Sequence, residues 1–263
     1  MNRPLLAAQG LSIRIGRRTL LEDLALQVRA GERWGVLGVN GSGKTRLLET
    51  LVGLHPPQSG QIDYGDLPLP GMRPLHAARH RAFLPQQVQD AFALSVLDVV
   101  LAGRYPHLSG TAWETPADLQ RARDVLAELE LLELAERDVM SLSGGERQRV
   151  ALAAVLAQDT PLLLLDEPFN HLDLRHQGKL LTHLYRMACE QGTAVLCAMH
   201  DLNQAACFAS HAILLGPGAR ARVGPVAEVL QPGPLSAAFG VEIRQVAVEG
   251  QPWFLVDSRT SPS

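Results

Sequence analysis

Residues 38–45 read GVNGSGKT, which fits the pattern G-x-x-x-x-G-K-[ST]. They follow the apolar segment WGVL at residues 34–37 and precede a segment with helical apolar spacing. Gly41 and Gly43 allow the backbone to curl so that several N–H groups face one anion, and the positive end of the following helix strengthens the attraction. The stretch therefore predicts a phosphate-binding loop between a strand and a helix.

The end of this loop carries two side chains suited to nucleotide chemistry. Lys44 can direct a positive charge toward β- and γ-phosphates, and Thr45 offers a hydroxyl to Mg²⁺. A glycine turn with an incidental lysine is the alternative, which the strand–turn–helix context disfavours. The residues expected to bind the phosphates are Gly38, Val39, Asn40, Gly41, Ser42, Gly43, Lys44 and Thr45.

Short apolar segments recur along the chain, separated by helix-length stretches. They lie at residues 34–37, 82–84, 162–165, 194–199 and 212–215. Such alternation predicts an α/β fold with a largely parallel sheet.

The middle of the chain, about residues 88–158, has a helical pattern instead. Apolar residues recur there at spacings of three and four, behind Thr115, Pro116 and Asp118, which suit a helix cap, a first-turn proline and a capping-box acid. The apolar positions are Leu119, Ala122, Val125, Leu126, Leu129 and Leu132. We expect a helical subdomain inserted into the α/β core.

We divide the chain into a main domain at residues 1–230 and a C-terminal extension at residues 231–263. Apolar residues at 241–256 flank a turn sequence, EGQP, and predict a hairpin followed by a frayed tail. A regulatory element, a dimer-stabilising element and a cover for a sheet edge are all compatible with this extension, and we favour the cover.

Composition excludes several classes of protein. With 24 Lys and Arg against 27 Asp and Glu among 263 residues, the net charge of -3 provides no overall field for nucleic acid or an anionic membrane. The longest apolar runs fall short of about 18 residues, so no membrane span is expected. No secretory signal is evident, which favours a cytoplasmic location. The three cysteines lack metal spacing and are expected to be buried.

Two acidic residues, Asp166 and Glu167, directly follow the apolar segment at residues 161–165. Ligands bind at the carboxyl ends of strands in such sheets. Asp166 is suited to hold Mg²⁺ through its water shell, and Glu167 can accept a proton from an attacking water. Acids also cap helices, so the pair gains its significance from the phosphate loop.

Residues 142–149 read LSGGERQR, in which Ser143, Gly144 and Gly145 open an apolar helix and predict a second anion site. With GVNGSGKT as the Walker A loop and LLLLDEP as the Walker B strand, the sequence closely resembles the ATP-binding cassette (ABC) family over about residues 5–230. The resemblance implies a P-loop NTPase core with an inserted helical signature subdomain. It also implies ATP and Mg²⁺ as ligands.

The family's remaining elements match Gln86 in FLPQ, Asp173 in NHLD and His200 in MHDLN. The resemblance implies that Glu167 is the catalytic base, that His200 contacts the γ-phosphate, and that Gln86 belongs to the catalytic and metal-binding set. Gln87 and Gln89 are alternatives to Gln86, which we prefer because it follows Leu-Pro. A lone histidine is more often structural, but the position after a strand favours a catalytic role.

The resemblance also implies a head-to-tail homodimer. Each ATP would lie between Lys44 of one subunit and the signature of the other, so the residues acting in trans would be Ser143, Gly144, Gly145 and Asp173. Ile15 occupies the expected position of an aromatic residue that often stacks on adenine. Aliphatic contact forfeits about 0.5 to 1.5 kcal/mol of ring stacking, so adenine selectivity is expected to be modest.

The segments GRYPHL, EPFNHLDLRHQ and HDLNQA resemble importers for iron siderophores, haem and vitamin B12. The resemblance implies a peripheral subunit on the inner face of the membrane, docked on permease subunits near residues 86–105 and served by an extracytoplasmic solute-binding protein, with no nucleic-acid partner. Phe92, Leu94 and Tyr105 are candidate docking contacts, although Phe92 and Leu94 also suit internal packing. An exporter ATPase and a soluble ATP-gated clamp are the alternative functions.

Overall fold

The computed structural model describes residues 3–87, 93–108 and 113–256. Its strands, in chain order, are β1 (Leu6–Ile15), β2 (Arg18–Val28), β3 (Arg33–Leu37), β4 (Ser59–Tyr64), β5 (Leu67–Pro68), β6 (Ala82–Leu84), β7 (Leu162–Asp166), β8 (Ala194–Ala198), β9 (His211–Leu215), β10 (Ala221–Pro225), β11 (Ile243–Val248) and β12 (Gln251–Val256). Its α-helices are α1 (Lys44–Leu51), α2 (Pro74–His80), α3 (Val96–Ala102), α4 (Pro116–Glu128), α5 (Gly144–Ala157), α6 (Leu174–Gln191), α7 (Leu202–Phe208), α8 (Val226–Val229) and α9 (Pro232–Phe239). None of the helices in these ranges is long and apolar enough to span a membrane.

The five apolar segments of the sequence form neighbouring strands of one sheet, with the order β10-β9-β3-β8-β7-β6. All pairs except β10–β9 are parallel, which confirms the predicted sheet. Strands β7 and β8 are buried along their whole length, as expected for strands covered on both faces. The carboxyl ends of β3, β7 and β8 therefore meet at the same edge.

A second, antiparallel sheet with the order β2-β1-β4-β5 was not predicted from the sequence. Its alternation is irregular because the pairing of β1 with β2 contains three register shifts, and each shift exchanges the faces to which side chains point. This sheet shares a hydrophobic core with α1 and the parallel sheet, including Leu11, Leu48 and Leu164. The phosphate-loop helix is therefore fixed between two sheets.

Helices α3, α4 and α5 pack together in the region with helical spacing. Thr115 and Asp118 form the predicted capping box, with Pro116 in the first turn of α4. This helix ends at Glu128, earlier than the apolar spacing indicated, because Glu130 adopts a left-handed conformation (φ 56°) that stops the helix. Leu132 lies in a separate short 3₁₀ helix.

Asp118 also joins the three helices by a charged link. Its carboxylate accepts hydrogen bonds from Thr115 and from Arg104 Nε at 2.9 Å, and Arg104 Nη1 donates to the carbonyl of Ala157 at the end of α5. The hydrogen bonds from Thr115, together with Arg104, lower the pKa of Asp118 to about 2. A charged carboxylate at this position therefore stabilises the folded protein.

The described part of the C-terminal extension contains α9 and the β11–β12 hairpin, which forms a two-stranded sheet of its own. The tail beyond residue 256 lies outside the described residues. Among the cysteines, Cys197 is buried, whereas Cys189 and Cys207 are exposed, so the expectation of three buried thiols was wrong for two. Both lie on helices, α6 and α7, at positions facing away from the core.

Replacing Asp118 by Asn should lower the free energy of unfolding by about 1 to 2 kcal/mol at pH 7, because the folded protein holds the ionised form. Since the folded pKa lies below the unfolded value of about 4, the wild-type advantage should shrink as the pH falls from 4 through 2. Urea unfolding at several pH values measures this. Asp124→Asn, on the exposed face of α4, is the control and should cost no more than about 0.5 kcal/mol; an equal loss in both variants would contradict the prediction.

Candidate functional site

The phosphate loop connects β3 to α1 with the geometry that its sequence predicts. Gly41 and Gly43 have φ values of 74° and 106°, which residues with side chains rarely adopt, and Gly43 immediately precedes α1. The Lys44 side chain is buried, and its Nζ donates to the carbonyls of Gly38 and Val39 at 2.9 and 3.4 Å. The loop thus holds its own lysine at the helix N-terminus.

A cleft of about 500 Å³ opens along this loop. It brings together the phosphate loop and three of the residues predicted for catalysis, Gln86, Glu167 and His200. Ile15, expected to contact adenine, lies on its wall and is 47% exposed. The complete lining is Ile15, Arg18, Leu20, Asn40, Gly41, Gly43, Lys44, Thr45, Arg46, Glu49, Gln86, Glu167 and His200.

Asp166 lies at the end of β7, fully buried. Among the described residues, neither of its carboxylate oxygens has a hydrogen bond of normal geometry. Burial raises the pKa of Asp166 and the negative charge of Glu167 adds to this, while the Thr45 hydroxyl and Lys44 oppose the shift. Because a buried carboxylate with so little hydrogen bonding is costly, this arrangement fits a residue that completes its contacts through a ligand.

Glu167 is the point where the predicted catalytic residues converge. Its Oε1 lies 2.5 Å from His200 Nε2, and its Oε2 accepts a hydrogen bond from Gln86 Nε2 at 2.9 Å. Asn170 Nδ2 donates to the same Oε2 at 2.8 Å. Sequence reasoning missed Asn170, although an amide three residues after a catalytic carboxylate in a tight turn is a signal that could have found it.

The backbone of Glu167 is left-handed, with φ 52°, which is a strained conformation for a residue with a side chain. The turn is closed by the backbone N–H of Asn170, which donates to the backbone carbonyl of Glu167 at 3.2 Å. Burial alone would raise the pKa of Glu167, but hydrogen bonds from His200 and Asn170 and the charge of Lys44 outweigh it, so the pKa is lowered. The carboxylate is therefore ionised at neutral pH, as a proton acceptor must be.

The signature segment lies elsewhere on the surface. Ser143 is the N-cap of α5 and forms a capping box with Glu146, so the predicted helix start is present. Gly145 packs against the carbonyl of His171, since a Cβ built on it would lie 2.8 Å from that oxygen. A side chain at this position would push the signature away from residues 171–173.

Asp173 is the N-cap of α6 and holds His176 through its side chain. The fold therefore places Ser143, Gly145 and Asp173 near one another through the contact of Gly145 with His171. None of Ser143, Gly144, Gly145 and Asp173 lines the cleft of the same chain among the described residues. One chain thus presents two separate groups of predicted site residues.

The segment expected to dock on a permease is only partly described. Phe92 and Gln89 lie outside the described residues. Leu94 and Tyr105 are exposed, at 47% and 67%, so neither is part of the core, and packing inside the helical region is excluded for Leu94. These exposed apolar side chains are available to a partner.

Comparison with known proteins agrees with this geometry. A family model described as "ABC transporter" matches residues 21–170. The hemin import ATP-binding protein HmuV of Thermobifida fusca (strain YX) is 41% identical over 92% of this chain and 84% of the relative. The iron(3+)-hydroxamate import ATP-binding protein FhuC of Bacillus subtilis (strain 168) is 37% identical over 90% of this chain and 88% of the relative.

A solved structure of a metal-chelate type ABC transporter in an inward-facing conformation has a similar fold, with a TM-score of 0.84 and 31% identity. The alignment covers 98% of this chain and 99% of that chain, so the C-terminal segment is included in the similarity. The chain therefore belongs to the ABC transporter family, as an ATP-binding cassette that hydrolyses ATP.

Proposed function

We propose that this protein is the ATPase subunit of an importer for hemin or another iron chelate, and that it acts as a homodimer on permease subunits. The observation that carries the proposal is its similarity, at about 40% identity over nine-tenths of the chain, to ATP-binding subunits named for such import. The sequence resemblance also included cobalamin importers, but none of the relatives above is named for a corrinoid. The solute itself would be selected by the permease and its extracytoplasmic binding protein.

ATP binding is attributed to the loop at residues 38–45. Backbone N–H groups of this loop and the N-terminus of α1 surround the position of the β- and γ-phosphates. Lys44 is held in place by carbonyls of its own loop. Its ammonium group would turn from these carbonyls to the phosphates when ATP binds. Ile15 and Leu20 on the cleft wall would supply apolar contact for the adenine ring.

Glu167 acts as the base in this proposal. It is ionised at neutral pH and held by three side chains, so its carboxylate can accept the proton of a water that attacks the γ-phosphate. Gln86 and Asn170 orient the Oε2 atom, while His200, paired with Oε1, would contact the γ-phosphate. This arrangement fixes the proton acceptor before ATP arrives.

The same edge of the sheet fits a magnesium ion. Asp166 is a buried carboxylate with unsatisfied oxygens beside Thr45, and hard oxygen donors of this kind suit hydrated Mg²⁺. Thr45, Gln86 and Asp166 would hold the ion, whose chemistry is to neutralise charge on the phosphates. The cation would then offset the cost of burying the Asp166 carboxylate and would favour its ionised form.

The second group of residues supports a head-to-tail homodimer. Ser143 and Gly144 are exposed at the N-terminus of α5, where helix N–H groups attract anions, but they lie outside the ATP cleft of their own chain. A second copy would bring Ser143, Gly144, Gly145 and Asp173 over the nucleotide. Each ATP would then be enclosed by both subunits, and hydrolysis would depend on their closure.

The permease is expected to dock on the surface near residues 86–105. Gln86 bonds the catalytic Glu167, and Leu94 and Tyr105 are exposed beyond it. A displacement of this segment by the permease would therefore be transmitted to Glu167 through the side chain of Gln86. The location that follows is peripheral, on the cytoplasmic face of the membrane.

Glu167→Gln should retain ATP binding within a fewfold and lower kcat at least about 100-fold, because the amide cannot take the proton. Lys44→Ala, in contrast, should weaken ATP binding itself by removing the phosphate charge. Equilibrium binding of labelled ATP and steady-state phosphate release separate the two effects. Unchanged turnover in Glu167→Gln would remove this residue as the base.

A mixture of Lys44→Ala and Ser143→Arg proteins should regain ATPase activity that neither variant shows alone. In a head-to-tail heterodimer one site combines the intact Lys44 of one subunit with the intact Ser143 of the other, while the second site carries both defects. Co-expression with two different affinity tags isolates the heterodimer for assay. If both residues served the same subunit's ATP, each site would carry one defect and no activity would return.

Purification of the tagged protein from detergent-solubilised membranes of its host, with ATP depleted, should yield a multi-span permease as a stoichiometric partner. Mass spectrometry identifies the permease, and the solute class follows from the binding protein that works with it. An associated exporter domain would move the assignment to export. Recovery of this chain without any integral-membrane partner, under conditions that preserve a control transporter, would favour the soluble clamp.

A further inference from the structure

The C-terminal hairpin is attached to the helix that follows His200. The side-chain amide of Asn203, in the first turn of α7, forms two hydrogen bonds with the backbone of Phe254 in β12. Its Nδ2 donates to the Phe254 carbonyl at 3.1 Å, and its Oδ1 accepts from the Phe254 N–H at 2.6 Å. The Phe254 side chain is 5% exposed and belongs to the main hydrophobic core.

These bonds occupy the free edge of the hairpin. In an antiparallel pair, the N–H and C=O of one residue point to the same side. Because both groups of Phe254 bond Asn203, they point away from β11, and the pairing of β11 with β12 does not depend on them. Asn203 thus supplies one ladder position that a neighbouring strand would otherwise fill. Removing its amide should release the hairpin from α7 without opening the hairpin.

The two ends of α7 are held in different ways. Its C-terminal end is packed, since Ala205 and Phe208 are buried and the Ala205 methyl lies against Gly35 in β3. In its first turn Leu202 is partly buried against the core, and the other support comes from hydrogen bonds of two side chains. Asp201 caps the helix by accepting from the N–H groups at positions 203 and 204, and Asn203 bonds the hairpin.

His200 immediately precedes this first turn and is itself half exposed, with 42% of its side chain accessible. Its described contact with the catalytic centre is the pairing with Glu167. A small rotation of the first turn of α7 would therefore move the imidazole relative to that carboxylate. A cavity of about 290 Å³ lies between the hairpin and α8.

From the sequence we favoured a cover for a sheet edge, and strand pairing of the hairpin does not provide such a cover. Strands β11 and β12 bond each other, and the described edge strands β6 and β10 bond neither of them. Instead the contacts of β12 are made with α7 and those of β11 with α9. This arrangement is directed at the helix next to the catalytic histidine.

We propose that Asn203 is a positioning residue, through which the C-terminal hairpin holds the first turn of α7 and keeps His200 aligned with Glu167 and the γ-phosphate. The inference rests on the proposed role of His200 in ATP hydrolysis. The C-terminal extension then contributes to ATP hydrolysis by positioning His200. Asn203 is not among the residues that line the cleft of the phosphate loop, so ATP binding should be independent of it.

The test compares Asn203→Leu, which keeps the size of the side chain but removes both hydrogen bonds, with Leu255→Ser as a control. Leu255 is 48% exposed on the opposite face of β12, away from α7. Asn203→Asp gives an intermediate case, because its carboxylate can still accept from the Phe254 N–H but cannot donate. His200→Ala is measured in parallel, all in the full-length protein.

For Asn203→Leu we expect a loss of about tenfold in kcat, in line with the cost of misplacing a catalytic group. The KM for ATP should stay within about twofold because the phosphate loop is intact. Hydrogen exchange should accelerate in residues 201–206, and Tm should change little. Asn203→Asp should fall between, and Leu255→Ser should match wild type in kcat.

Four results would overturn the inference. An unchanged kcat with faster exchange would show that the hairpin only covers α7. A parallel loss of kcat, ATP binding and Tm would indicate general destabilisation. Full activity of His200→Ala would refute the proposed role of His200 and the inference with it, whereas an inactive His200→Ala beside a fully active Asn203→Leu would refute the inference alone.

Discussion

The arrangement of the site depends on two carboxylates, Asp166 and Glu167, that lie at the buried end of β7. Burial opposes the charge of both groups, and the surrounding residues compensate in different ways. Glu167 receives hydrogen bonds from three side chains, whereas Asp166 has none of normal geometry among the described residues. The hydrogen bonds of Glu167 are thus complete within the chain, whereas in the proposed function a bound cation would complete those of Asp166. This difference supports the proposed assignment of Glu167 as the base and Asp166 as the metal ligand more clearly than their positions in the sequence do.

The sequence was most informative where a local rule determines the structure. The phosphate loop, the strands of the parallel sheet and the capping box at Thr115 each follow from residues a few positions apart, and the structure contains all of them. The antiparallel sheet was missed because register shifts interrupt the alternation of β1. The end of α4 was misplaced because apolar spacing continued beyond Glu130, whose backbone conformation no pattern of hydrophobicity reports.

The site shows the same division. The phosphate loop and the carboxylates could be recognised from motifs, but their mutual arrangement could not, because it depends on long-range contacts. Gln86 and Glu167 are separated by 81 positions and meet through the pairing of β6 with β7. Asn170 has a clear role only after the left-handed turn at Glu167 directs its amide back to the carboxylate. The link from Asn203 to Phe254 spans 51 positions and has no sequence signature.

The separation of the cleft from the signature helix explains how hydrolysis can be controlled. Glu167 and the phosphate loop line one cleft of the chain. The start of α5 is exposed and lies outside that cleft. In the proposed function, a monomer would therefore bind the phosphates without enclosing them, and water and product would exchange freely. Closure of a second copy would add the positive end of a helix to the γ-phosphate, where negative charge is greatest. Since the contact of Gly145 with His171 ties the signature to residues 171–173, the signature and Asp173 would reach the other subunit's ATP together. Because a head-to-tail dimer is symmetric, the movement that completes one ATP site would also complete the other.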